Sequence, residues 1–122
     1  MTKAAAINKF WNSFGLMAYE ENSVPDDAEF PYITYQLVTD SFDNETLLTA
    51  SIWYRGTSWV NANAKAEEIS QTMGRSGTLL VCDGGKIWLK RGTPFSQSMG
   101  DDTDDAIKRK YLNVIAEYFT AD

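Results

Sequence analysis

The residues with the greatest potential for chemistry form a run of carboxylates at 101–105, DDTDD. Clustered carboxylate oxygens are the ligands that Mg²⁺ and Ca²⁺ prefer. A calcium-binding EF-hand loop places glycine at its sixth position and glutamate at its twelfth, where this chain has Ala106 and Leu112. Acidic runs are mostly solvated, because their charges repel one another. We therefore predict a solvated segment with no metal, and a small Mg²⁺-dependent enzyme remains the alternative.

The chain has no histidine and a single cysteine, Cys82. Serine and cysteine catalysis through histidine is thereby excluded, as are zinc sites with histidine ligands. One cysteine forms no internal disulfide, and Cys82, among Leu and Val at a strand end, is predicted to be a small buried apolar residue. The glycine-containing segments 74–77 and 83–85 do not match a phosphate-binding loop, in which a lysine is followed by Ser or Thr, and are predicted to be turns. We predict no catalytic residues, no cofactor and no enzymatic activity.

Length and charge restrict the class of protein further. The 122 residues are 43% hydrophobic, which fits one globular domain over 1–122. Eleven basic and seventeen acidic residues give a net charge of −6, which disfavours binding to the phosphates of nucleic acid. The apolar runs are too short for a membrane span, and the first residues lack the core of a signal peptide. We expect the protein to be made and used in a cytoplasm, without a membrane.

Two segments have helical spacing. In 2–14, Ile7, Phe10, Trp11 and Phe14 share one face, with a cap at Thr2 and a glycine stop at position 15. In 58–73 the spacing of apolar residues is again three and four, with Ser58 as the cap and Gly74 as the stop. Both helices are predicted to pack on a sheet.

The remaining periodic segments favour strands. A short strand is expected at 16–20, a surface loop at 22–31, a hairpin of 32–42 and 45–55 with its turn at Asp43-Asn44, and a second hairpin of 78–82 and 86–91. The spacing of apolar residues in 106–120 would fit a helix, but its content of Tyr, Val, Ile, Phe and Thr favours a long strand. We predict an α+β fold: a mainly antiparallel sheet of about five to six strands with two helices packed on one face. Because 45–55 is apolar on both of its faces, the second face of the sheet also needs cover.

A third type of segment, 92–105, has no periodicity and is longer than most connections in a compact domain. We predict a loop that takes part in assembly, with Phe95 and Met99 as apolar anchors. Trp53 and Trp88, on the second face of the sheet, complete the predicted set of subunit contacts. Each tryptophan could equally be part of the core.

Several stretches resemble the small neck proteins of tailed bacteriophages. They are 18–28 (AYEENSVPDDA), 30–36 (FPYITYQ), 51–55 (SIWYR), 66–69 (AEEI) and 88–95 (WLKRGTPF), within a likeness over about residues 14–120. None of them is a catalytic signature. The resemblance implies a tail terminator or tail-completion protein with an α+β fold.

Such a protein assembles as a homo-hexameric ring on the tail tube protein, stops tube polymerisation and presents a surface to the head-completion or connector protein. The resemblance thus implies a structural virion protein of the neck, assembled in the cytoplasm of a bacterial host. Six chains would carry a formal charge of −36, six times the −6 of one chain, so DNA would pass through the ring without specific binding. The alternatives are another neck role, such as a head-completion (stopper) or head-tail joining protein, and an intracellular protein-binding module that accepts strands at its hairpin edges.

Overall fold

The computed structural model describes residues 1–42 and 44–121, which form one sheet and two α-helices. The elements in chain order are α1 (Lys3–Trp11), a short 3-10 helix (Asn12–Phe14), β1 (Met17–Glu20), β2 (Tyr32–Tyr35), β3 (Asn44–Arg55), α2 (Val60–Met73), β4 (Thr78–Cys82), β5 (Gly85–Gly100) and β6 (Ile107–Thr120). Neither α-helix in the described part is long and apolar enough to cross a bilayer.

The sheet has six strands in the order β1-β2-β3-β6-β5-β4. β1 and β2 are parallel, and every other neighbouring pair is antiparallel. β6 lies near the centre because it pairs with β3 on one side and β5 on the other. The predicted α+β fold is confirmed, with both helices on one face of the sheet.

The core lies between the helices and that face. Alternate residues of β6 are buried there from Leu112 to Thr120, since successive strand residues point to opposite faces. α1 contributes the predicted aromatic stripe, and α2 contributes Ala62, Ala66, Ile69 and Met73. The two alanines allow α2 to pack closely on the sheet.

The predicted helix ends are largely confirmed. Thr2 Oγ1 accepts a hydrogen bond from Ala5 N at 3.0 Å, and Gly15 ends the first helical segment with φ +79°. α2 begins at Val60, so Trp59 and not the predicted Ser58 occupies its N-cap position, although Ser58 Oγ accepts from Val60 N at 3.1 Å. Cys82 is buried, as predicted.

The prediction of a loop at 92–105 is wrong. β5 continues to Gly100 and, after an irregularity between Arg91 and Ser96, pairs with β6 as far as Lys108. Only residues 101–106 connect the two strands. The stretch 93–100 is exposed or half-buried on both sides, so it lacks the apolar alternation by which a strand is recognised.

The first hairpin is also shorter than predicted. β2 pairs with β3 only from Tyr32 to Tyr35, and residues 36–42 leave the sheet. At the departure point the side-chain Oε1 of Gln36 accepts from Thr49 N at 3.2 Å, in place of the backbone carbonyl that a continued strand would supply. Of the predicted turn, Asp43 lies outside the described residues, and Asn44 begins β3.

Candidate functional site

The face of the sheet opposite the helices, here called the open face, is covered by no element in the described part of the chain. In β6 it carries every second residue from Arg109 to Phe119, and each of these is half-buried. Their neighbours in β3 and β5 share this face because directly paired residues project to the same side. The open face is therefore a surface on which apolar side chains meet solvent.

One part of the open face, the apolar end, lies over the ends of β3 and β6 and the β4–β5 hairpin. Its most exposed members are Phe42, Leu47, Leu79 and Val81, at 64%, 65%, 55% and 72% exposure. Three half-buried residues lie between them. Ile115 is paired with Leu47 and Trp88 with Leu79. The Phe119 ring lies 6.3 Å from that of Phe42 and 6.4 Å from that of Trp88. Monomeric proteins seldom leave apolar side chains so close together in water.

Three of the charges beside the apolar end are paired with one another, whereas Lys86, next to Val81 and Phe119, makes no ion pair within the described residues. Lys90 Nζ donates to Glu45 Oε2 at 3.0 Å and to Glu117 Oε1 at 3.1 Å, and it lies 4.4 Å from the centre of the Trp88 ring. The hydrogen bond to Glu45 is the main cause that raises the pKa of Lys90. The Lys90 ammonium group therefore stays charged and keeps its carboxylate partners. Because this charge is already paired, a partner protein that buried the surface would incur a smaller desolvation penalty.

The other part of the open face, the aromatic end, is built around Arg109. Its guanidinium lies 4.6 Å from the Trp53 ring centre and 5.2 Å from that of Tyr111, and its Nε donates to Ser51 Oγ at 2.9 Å. Trp53 stacks on Tyr32 at 6.2 Å and donates through Nε1 to Thr34 Oγ1 at 2.9 Å. These residues line a shallow cleft of about 410 Å³. Because the rings and the arginine hold one another, this end is a rigid surface suited to contact with a protein.

Burial raises the pKa of Tyr32, and the neighbouring Tyr19 adds to this shift. The phenol of Tyr32 is therefore uncharged at neutral pH. The aromatic end carries the positive charge of Arg109, whereas the apolar end carries the network of Lys90, Glu45 and Glu117 and the separate charge of Lys86.

The four predicted contact residues fall in different surroundings. Trp88 belongs to the apolar end and Trp53 to the aromatic end, while the half-buried Met99 is paired with Arg109 and shares the open face. Phe95 is separate from them: it lies in the irregular part of β5 and packs partly against the protein's own core. The structure thus brings three of the four to one face.

Two of the four carboxylates in 101–105, those of Asp101 and Asp104, are held by hydrogen bonds at the turn between β5 and β6. Asp101 Oδ1 accepts from Thr103 N at 2.8 Å and Thr103 Oγ1 at 2.7 Å, and the hydroxyl is the main cause that lowers the pKa of Asp101. Asp104 accepts from Ala106 N at 3.0 Å and from Arg55 at 2.6 Å, and the Ala106 N–H contributes most to lowering its pKa. No group of three potential metal-ligating side chains occurs in residues 1–42 and 44–121.

Sequence reasoning missed Phe42, Leu47, Leu79 and Val81 as surface residues. A signal existed in β3, where Leu47 faces away from the buried Leu48. In β4 the continuous apolar run TLLVC conceals the alternation, so the exposed pair could be found only from the position of β4 at the edge of the sheet.

The open face therefore combines an apolar end with an aromatic, arginine-bearing end on a rigid six-stranded sheet. Both ends have the composition of protein–protein interfaces. No family model, curated protein or solved structure matches the chain, so its geometry is what a functional proposal rests on.

Proposed function

We propose that the protein is a structural assembly protein of a tailed bacteriophage: a tail terminator that forms a ring, caps the tail tube, stops its polymerisation and joins it to the head connector. The observation that carries the proposal is the uncovered open face, with four large apolar side chains more than half exposed at its apolar end. Such a surface is expected on a chain that functions within an assembly.

The distribution of polar groups supports this proposal. Lys90 is satisfied by Glu45 and Glu117, and the acids at 101 and 104 close their own turn. These charges are therefore engaged within the fold, and what remains available for binding on the open face is mainly shape, apolar area and the aromatic end. Such a surface is more typical of a structural assembly protein than of an enzyme.

A ring places further demands on the interface. Identical subunits close into a ring when one surface of each copy meets a different surface of the next. The open face has two chemically different ends, so it can contact two unlike surfaces at once. We assign one side of the subunit contact to the apolar end around Trp88, which would meet a different surface of the next copy, and contacts with the tube or the connector to the aromatic end around Trp53 and Met99.

The test is electron microscopy of a lysate from a phage or prophage whose copy of this gene is disrupted. Overlong, irregular tails beside unjoined heads are expected. Tails of normal length beside heads that leak DNA would overturn the terminator role and assign the protein to the portal side of the neck. Intact particles would overturn the virion role altogether and favour a protein-binding module.

A further inference from the structure

The outer edge of β1 is closed by side chains and a turn. Asn12 Oδ1 accepts from Ala18 N at 3.0 Å, and Asn12 Nδ2 donates to Ala18 O at 3.3 Å. The next outward carbonyl, that of Glu20, accepts from Ser23 N at 2.8 Å. No further strand can pair there without displacing these groups.

The outer edge of β4 is open. Cys82 and Gly85 face each other across a two-residue turn, so the backbone groups of Thr78, Leu80 and Cys82 are directed to β5. The N–H and C=O groups of Leu79 and Val81 then point away from the sheet, and no backbone group in residues 1–42 and 44–121 pairs with them. Just beyond them, Asp83 N donates to Met1 O at 2.7 Å, so this edge already binds extended backbone at one end.

A groove of about 520 Å³ runs along the same edge, between β4 and α1. Its apolar lining includes Ala6, Phe10, Leu80 and Cys82. A strand added to β4 would direct alternate side chains into this groove, and the others would lie beside Leu79 and Val81. The edge therefore offers backbone hydrogen bonds and an apolar site for the same strand.

The charges around the groove indicate the chemistry of the partner. Lys9 lines the groove, and Lys86, which is paired with Val81, projects from the opposite, open face beside β4. Neither lysine makes an ion pair within the described residues, whereas the one acid at the groove, Asp83, is bound by the Met1 amino group at 2.8 Å. Acidic residues on an incoming segment would meet these two lysines.

We propose that β4 binds an extended segment of a partner protein as an additional strand, and that this segment alternates apolar residues and has acidic residues at its ends. A second copy of this chain fits less well. Its β1 edge is closed, and a second β4 (TLLVC) carries no acidic residue to meet Lys9 or Lys86. The proposal holds whether or not the protein forms a ring.

The experiment uses a nine-residue peptide with five alternating valines and threonines between pairs of aspartates. Amide hydrogen exchange at Leu79 and Val81 is followed by NMR on the whole chain, and affinity is measured by titration. The peptide is expected to slow exchange at both amides by at least about tenfold, because they become strand donors. The same peptide methylated at alternate backbone nitrogens is expected to have no effect.

Two substitutions at one position separate the backbone from the side chain. Leu79→Pro removes the outward N–H and leaves the bonds to β5, since proline is tolerated on an edge strand where its nitrogen faces out. Leu79→Thr keeps the N–H and loses similar apolar area. The proline variant should bind at least about tenfold more weakly than the threonine variant. If Leu79→Pro does not fold, the methylated peptide still decides the question.

Three outcomes would overturn the proposal. The first is unchanged exchange at Leu79 and Val81 with saturating peptide. The second is that a peptide with lysines in place of its terminal aspartates binds equally well, which would show that the partner segment need not be acidic. The third is protection that rises with protein concentration in the absence of peptide, which would assign this edge to a second copy of the chain.

Discussion

The side-chain amide of Asn12 takes the place of a neighbouring strand at the edge of β1, because it binds both the N–H and the C=O of the buried Ala18. We predict that Asn12→Leu lowers the free energy of unfolding by about 1–3 kcal/mol, since both backbone groups lose their partner. Asn61→Leu, at an exposed position of α2, is the matched control and should change it by less than about 0.5 kcal/mol. Urea denaturation followed by circular dichroism measures both, and equal effects would contradict this role of Asn12.

Tyr118 determines how stability responds to alkaline pH. Its side chain is fully buried, its hydroxyl donates to Val38 O, and burial raises its pKa from 10.0 to about 12. Above pH 10 the unfolded chain releases this proton while the folded protein keeps it. The free energy of unfolding should therefore fall by about 2–3 kcal/mol between pH 10 and pH 12 through this group alone.

The Tyr118→Phe variant isolates that contribution. It should lose stability at neutral pH, because the Val38 carbonyl loses its donor. Its decline between pH 10 and pH 12 should be shallower than that of the wild type, and the remainder is due to groups such as Tyr32 and Tyr54, whose pKa values burial also raises. Parallel pH profiles of the two proteins from denaturant titrations would show that Tyr118 is not the titrating group.

At the scale of the elements, the sequence predicts both helices because their apolar stripes and end residues are local signals. It predicts β6 from its content of Tyr, Val and Ile, although the spacing also fits a helix. It fails at 92–100, because that part of β5 owes its strand conformation to pairing with β6 and not to its own pattern. It fails at 36–42 for the opposite reason: the residues favour a strand, but the Gln36 side chain ends the pairing.

Because β5 lies close to β6 at Gly92 but not at Gly100, we expect substitutions at these two glycines to differ in their effect on stability. A Cβ at the buried Gly92 would lie 2.8 Å from Asn113 Cβ and 2.9 Å from Asn113 O. Gly92→Ala should therefore cost about 1–3 kcal/mol of unfolding free energy, because a strand backbone must shift. A Cβ at Gly100 would meet nothing within 4 Å, so Gly100→Ala should be nearly neutral. Thermal and urea denaturation of both variants check this, and a neutral Gly92→Ala would mean that the strands are further apart.

For the whole molecule, the decisive property is the difference between the two faces of the sheet. The sequence indicates that both are apolar, since Leu47 and Trp53 alternate with Leu48 and Ile52 in one strand. It does not indicate which face the helices leave uncovered, or that Leu79 and Val81 lie at an edge, because both depend on the order of strands in the sheet. The candidate surface is therefore a product of topology, and of its contact residues only Trp53, Trp88 and Met99 could be named beforehand.

If the open face makes subunit contacts, its effect on association can be separated from its effect on folding. Leu47, 65% exposed at the apolar end, and Val60, 69% exposed on α2, are both apolar and exposed to a similar degree. Leu47→Asp places a charge where the proposed interface would bury it, so it should weaken self-association by at least about tenfold. Val60→Asp lies away from the open face and should leave association unchanged.

Sedimentation velocity over a range of protein concentrations measures the association, and thermal denaturation verifies that both variants remain folded. Because both variants add the same negative charge to a chain of net charge −6, a general electrostatic effect would weaken both equally and would count against the open face. A selective loss with Leu47→Asp would instead locate subunit contacts at the apolar end. The same pair of variants, supplied to a phage that lacks the gene, should then differ in their ability to restore tails of normal length.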